Sequence, residues 1–207
     1  MATSSASVRQ PIASTGPFAP RDPMTARSLL GLAGIPTILA TGPFWDHSEA
    51  EQLAEAFAAV RRRCVAQLAI FGTGKHRTTV LRRAYALGVG SDVHMLKSCS
   101  AGWWPDIVAA ADVVAPGPEP GPISLLDILS AGRPVVAPID PTTVRLVVPA
   151  SAGLVYRRGD MSQLAASLLR LMTNPSLRHR MACRAIEVGR RDPMMMRLAH
   201  PAETVVR

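Results

Sequence analysis

The sequence predicts an α/β protein with a single doubly wound parallel sheet. Short apolar segments alternate with longer segments of helical character from Ile35 to Val188, and strands separated by helices in this way form parallel sheets. The hydrophobic content is 48%, but aromatic residues make up only 4%. The core must therefore consist mainly of Val, Leu, Ile and Ala, which suits strands that are buried on both faces.

The length of 207 residues is sufficient for one such domain with tails. Residues 1–26 are rich in Ser, Thr, Ala and Pro and show no periodicity, so we expect a disordered tail. An organellar transit peptide is the alternative, but no amphipathic arginine face develops there. Residues 27–191 are expected to form the folded, Rossmann-like domain, and residues 192–207 a C-terminal tail.

Within the domain, six strands are expected to alternate with helices. The predicted strands cover residues 37–41, 65–71, 92–96, 112–115, 134–137 and 152–156. The helices between them are predicted near residues 49–63, 77–87, 104–110, 123–131 and 142–147, and two more, at 161–173 and 177–188, follow the last strand.

Two helix starts carry a recognisable capping pattern. Ser48 precedes a helical stripe and has Glu51 three residues later, and Asp160 has Gln163 at the same spacing. A Ser or Asp at the N-cap, followed by Glu or Gln at the third helical position, forms a capping box. The cap itself contributes about 1 kcal/mol to helix stability. We therefore predict that these helices begin at Ser48 and Asp160.

Charge and cysteine content limit the classes of protein to be considered. The net charge is +8, carried almost wholly by arginine because Lys75 and Lys97 are the only lysines. A basic protein can bind anionic lipid, nucleic acid or phosphorylated ligands, and composition does not choose among these partners. Cys64, Cys99 and Cys183 are widely spaced and form no metal or redox motif, which is typical of reduced thiols in a cytosolic protein. No apolar segment approaches the roughly 20 residues of a membrane span.

The most informative segment is residues 116–136. It predicts a Pro/Gly loop after a buried strand, a short apolar helix that ends at Gly132, and another strand. Glu119 and Asp127 stand eight positions apart, one in the loop and one in the helix. Because ligands of open α/β sheets bind outside the carboxyl ends of the strands, these two acids are candidate ligand-binding groups.

This segment resembles the donor-binding domain of retaining GT-B glycosyltransferases, the group 1 family that includes sucrose synthase and the phosphatidylinositol mannosyltransferases. The family has two acids eight residues apart, followed by a small residue and Gly-x-Pro-Val-Val. This chain has Glu119, Asp127 and then Ala131-Gly132-Arg133-Pro134-Val135-Val136. The resemblance extends over residues 27–191 and includes similar segments at 69–74, 109–116 and 152–155.

The resemblance implies a role for each matching residue. Glu119 would contact the sugar hydroxyls as the catalytic candidate, and Asp127 would hold the nucleotide ribose. The backbone of Gly121 and Ile123, with Gly42 at the start of the first strand–helix loop, would bind the diphosphate. The donor would be a UDP- or GDP-sugar from which a hexosyl group is transferred with retention, and neither a metal nor a cofactor is implied.

The chain departs from the family pattern at the diphosphate. Pro43 and Ser48 stand where the family has Arg and Lys, and Pro120 and Pro122 have no N–H to donate. Losing two cations and one or two amides would cost about 4–8 kcal/mol of binding free energy. The alternative to a transferase is therefore an inactive remnant or interaction module that keeps the fold.

Several expectations about partners follow. GT-B enzymes use two lobes, so a separate polypeptide would have to supply the acceptor lobe and the chain would be truncated relative to them. We expect a cytoplasmic protein, with a membrane surface as an alternative contact for the basic last helix; nucleic acid is not expected, since no motif for it is present. Gly72-Thr73-Gly74 is interpreted as a tight turn, because it lacks the spacing of a phosphate loop.

Overall fold

The computed structural model describes residues 18–44, 46–97, 100–117 and 123–191. Its six strands form one parallel sheet in the order β3-β2-β1-β4-β5-β6. The strands are β1 (Thr37–Thr41), β2 (Gln67–Phe71), β3 (Val93–Met95), β4 (Val113–Pro116), β5 (Val135–Pro138) and β6 (Gly153–Tyr156). The predicted fold class is confirmed.

Helices cover both faces of the sheet. They are α1 (Pro23–Leu29), α2 (His47–Arg61), α3 (Arg77–Ala86), α4 (Trp104–Ala109), α5 (Leu125–Ser130), α6 (Pro141–Leu146), α7 (Met161–Met172) and α8 (Pro175–Arg191). Helices α2, α3 and α7 pack on one face, and α1, α4 and α5 on the other. Helix α8 packs mainly against α5.

The central strands show why the chain folds this way. All five residues of β1 and all five of β2 are buried. Ile38 and Ala40 belong to the cluster beneath α2 and α7, whereas Leu39 between them belongs to the cluster on the opposite face. Alternate side chains thus supply two cores from one strand, as a sheet covered on both faces requires.

The start of α2 corrects one predicted cap. The N-cap is Asp46, whose Oδ1 accepts the N–H of Glu49 at 2.8 Å. Ser48 lies inside the helix, where its Oγ accepts a hydrogen bond from Gln52 at 3.2 Å. Both Asp46 and Ser48 have a glutamate three residues later, and the earlier pair determines the helix start.

Asp160 is confirmed as the cap of α7, since its Oδ1 accepts the N–H of Gln163 at 2.8 Å. The reciprocal half of the predicted box is not formed. The side chain of Gln163 accepts the N–H of Arg157 at 2.6 Å instead. Through this hydrogen bond Gln163 links the turn between β6 and α7 to the first turn of α7.

Helix α1 corrects the boundary expected at residue 27, because it begins at Pro23 and is capped by Asp22. Arg27 is 5% exposed and donates Nε to the carbonyl of Ala110 at 2.8 Å and a terminal nitrogen to Asp112 at 2.5 Å. Residues 23–26, which composition assigned to a disordered tail, thus form the first part of a docked helix. The rest of that predicted tail up to residue 17, and residues 192–207, lie outside the described residues.

Candidate functional site

A cleft opens at the carboxyl ends of β1 and β4, the neighbouring strands at which the chain order of the sheet reverses. Ligands of doubly wound sheets bind at this switch point. The cleft has a free volume of about 600 Å³, including open solvent at its mouth. Its lining comes from the end of β1 and the loop after it, the first turns of α2, the end of β4, the end of β6 with the turn after it, and α7. The lining residues are Thr41, Pro43, Phe44, Asp46, Glu49, Ala50, Gln52, Leu53, Ala115, Pro116, Gly117, Tyr156, Arg158, Gly159 and Leu164.

The loops after β1 and β2 are joined by backbone hydrogen bonds that continue the strand pairing. Gly42 donates its N–H to Phe71 at 2.7 Å, and Phe44 donates to Thr73 at 2.8 Å. The predicted phosphate-binding residue Gly42 thus lies at the cleft edge, but its amide is already donated within the protein. Any contact that Gly42 makes with a ligand would have to use another group.

Gly72 and Gly74 are needed for this close approach. Both have positive φ, +130° and +118°. A Cβ on Gly72 would lie 2.6 Å from the nitrogen of Gly42, and one on Gly74 would overlap the backbone of Phe44. A side chain at either position would therefore push the loops after β1 and β2 apart.

Asp127 lies at the third position of α5, where it forms a capping box with Ser124. Its Oδ2 accepts the N–H of Ser124 at 3.0 Å and the Oγ hydroxyl at 2.7 Å, and Ser124 Oγ accepts the N–H of Asp127 at 3.1 Å. A carboxylate can accept about four hydrogen bonds, so this arrangement orients the group without using its full capacity. Asp127 is not among the described residues that line the cleft, and its ribose-binding role stays a prediction.

The other predicted site residues come from the loop between β4 and α5. Ile123 is 4% exposed, and its side chain packs into the core beside α5, so only its backbone can face a ligand. Glu119 and Gly121 lie outside the described residues. Their predicted contacts with the sugar and the diphosphate stay predictions.

Sequence reasoning missed an ion pair in the cleft. Glu49 on α2 and Arg158 in the turn after β6 are joined by Oε1 and Nε at 2.5 Å. Tyr156 lies in the same lining, and its pKa is raised to about 12 by burial and by the charge of Glu49, with Arg158 acting in the opposite direction. The position of Arg158 just beyond the carboxyl end of β6 was the signal that could have identified it.

His47 lies in the first turn of α2, and its side chain is 49% exposed. Its Nδ1 is 3.7 Å from Glu51 Oε2, and its ring meets that of His76 edge-on with centroids 5.1 Å apart. Neither histidine is among the residues that line the cleft.

Residues 18–44, 46–97, 100–117 and 123–191 contain neither a cluster of metal ligands nor a helix able to span a membrane. No three His, Cys, Asp or Glu side chains within those ranges are grouped so that they could hold a metal ion. In the same part of the chain, none of the helices has the length and apolar character needed to cross a membrane.

A parallel sheet in this order, with a cleft at its switch point, defines a Rossmann-like α/β domain. The sequence profile of the family described as glycosyl transferases group 1 matches residues 34–188. The match covers most of the chain, and the chain belongs to this family. No curated protein sequence matches it significantly.

Solved structures show the same fold in GT-B glycosyltransferases. Sucrose-phosphate synthase from Thermosynechococcus elongatus is 22% identical with a TM-score of 0.71, and the match covers 84% of this chain and 45% of that one. HepE from Anabaena, solved with UDP-glucose, is 18% identical with a TM-score of 0.70 over 87% of this chain and 50% of its own. This chain therefore spans about half the length of these proteins.

A third structure has a length similar to that of this chain. The C-terminal domain of the group 1 glycosyltransferase LpcC from Francisella tularensis is 14% identical, with a TM-score of 0.71. The match covers 83% of this chain and 93% of that domain.

Proposed function

We propose that this chain is the nucleotide-sugar-binding lobe of a retaining glycosyltransferase. It would transfer a hexosyl group when another polypeptide supplies the acceptor lobe. The observation that carries the proposal is the cleft between β1 and β4 in a member of the group 1 family. Support for the donor class comes from HepE, a fold relative that was solved with UDP and with UDP-glucose.

The proposed chemistry assigns each part of the ligand to a separate group of residues. Glu119 accepts hydrogen bonds from sugar hydroxyls, and the carboxylate of Asp127, oriented by Ser124, accepts them from the ribose. The backbone of Gly121 and Ile123 faces the diphosphate. Protein groups alone hold the donor in this scheme, without a metal ion.

A second candidate function is a binding module without transferase activity. The charge of the cleft favours it, since Asp46 and Glu49 outnumber Arg158 among the described lining residues. Negative side chains repel a diphosphate and so disfavour its binding. The N–H of Gly42 already donates a hydrogen bond to the carbonyl of Phe71. In this case the fold would persist while donor affinity is lost.

Calorimetry on the full chain with UDP-glucose and GDP-mannose separates the two functions. The transferase proposal predicts binding in the micromolar range that Glu119→Ala or Asp127→Asn weakens at least about tenfold, since each variant loses a charged hydrogen-bond acceptor. Asparagine keeps an oxygen for the cap of α5. Asp140→Asn is the matched control, because Asp140 caps the equally short helix α6 and the proposal gives it no contact with the ligand. If calorimetry detects no heat of binding even at millimolar ligand, the result favours the binding module without transferase activity.

A further inference from the structure

The cleft contains an ion pair between two parts of the chain that are distant in sequence. Glu49 lies in the first turn of α2, and Arg158 lies in the turn that leads from β6 to α7. Their side chains are 28% and 55% exposed. The two charged groups therefore meet at the solvent-facing side of the cleft.

Arg158 is the one basic side chain among the described residues that line this cleft. A phosphorylated ligand seated between β1 and β4 would need a cation there, and a guanidinium can donate two parallel hydrogen bonds to a phosphate. Arg158 is paired with the carboxylate of Glu49, and both side chains are partly exposed. Pairs of this kind are weak, since water screens them and ordering two long side chains costs entropy.

We propose that Arg158 binds the diphosphate of the donor and that Glu49 competes with the ligand for it. In the free protein Glu49 holds Arg158 across the cleft, and on binding the phosphate oxygens replace the carboxylate. This inference rests on the proposed function for the identity of the ligand. The contact itself can be tested with a simpler anion.

The test is calorimetry of the full chain with inorganic pyrophosphate and, separately, with UDP-glucose. Arg158→Gln should weaken binding of both at least about tenfold, because a charge-assisted contact to phosphate is lost. Glu49→Gln should tighten binding about fivefold, because it removes a competing negative charge. Arg157→Gln is the matched control, since it removes the same charge from the adjacent, exposed residue and should change affinity less than about twofold.

The two ligands separate failure of this inference from failure of the proposed function. If UDP-glucose binds and Arg158→Gln leaves its affinity unchanged, the function stands and the role of Arg158 is refuted. If pyrophosphate follows the predicted order of variants but UDP-glucose does not bind, Arg158 is an anion-binding residue and the proposed donor is wrong. Absence of pyrophosphate binding in both the natural protein and Glu49→Gln overturns the inference. Thermal unfolding of each variant confirms that it is folded.

Discussion

Tyr156 shows how the cleft changes the properties of a single residue. Burial and the nearby carboxylate of Glu49 raise its pKa from 10.0 to about 12. The unfolded chain therefore loses this proton at lower pH than the folded chain does. The contribution of Tyr156 to stability is complete below pH 10 and is lost as the pH rises from 10 to 12.

Tyr156→Phe should reduce this pH dependence. At pH 11 the natural protein should have lost roughly 1 kcal/mol of its free energy of unfolding through this group, because pH 11 lies about one unit above the pKa of the unfolded tyrosine. Urea unfolding at pH 8.5 and pH 11 measures the loss in both proteins. An equal loss in the natural protein and in Tyr156→Phe would contradict the raised pKa.

At the scale of elements, the loops after β1 and β2 depend on glycine. Gly74→Ala should lower the free energy of unfolding by at least about 2 kcal/mol, because the new Cβ overlaps the backbone of Phe44 in a conformation of positive φ. Gly88→Ala is the control: φ is +76° there, but no atom lies within 4 Å of the new Cβ. It should cost only about 1 kcal/mol.

Urea unfolding followed by tryptophan fluorescence compares these two glycine variants. Equal losses of stability would show that positive φ alone accounts for both effects. The close approach of the two loops would then not be energetically important.

The docking of α1 depends on a buried arginine. Arg27→Met should lower the free energy of unfolding by about 2–4 kcal/mol, because it leaves the carboxylate of Asp112 and the carbonyl of Ala110 without this donor. Arg62→Met, at an exposed position after α2, should change it by less than about 0.5 kcal/mol. Thermal or urea unfolding measures both, and similar values would mean that Arg27 does not anchor the helix.

The sequence was a good guide to the elements and a poorer one to their ends. Strand β1 and helix α3 were predictable because apolar runs and turn residues bound them locally. The cap of α2 was not, since Asp46 and Ser48 offer the same pattern. Helix α1 could not be predicted from composition, because the groups that bind Arg27 lie 83 and 85 residues away.

At the scale of the whole molecule, sheet order brings the cleft together. The reversal between β1 and β4 places their loops side by side. The family motifs pointed to the loop after β4, and the contacts that they predict there stay predictions. They did not predict the Glu49–Arg158 pair, whose members are 109 residues apart. A contact of this kind depends on the packing of α2 against α7, which local patterns do not reveal.

The proposed function requires the cleft between β1 and β4 to bind a nucleotide sugar. The most direct measurement is a titration of the isotope-labelled full chain with UDP-glucose, followed by amide chemical shifts. We expect saturable shifts at Thr41, Gly117 and Arg158, which line the cleft. Unchanged spectra at millimolar ligand, or shifts confined to distant surfaces such as α8, would show that the cleft does not bind the nucleotide sugar.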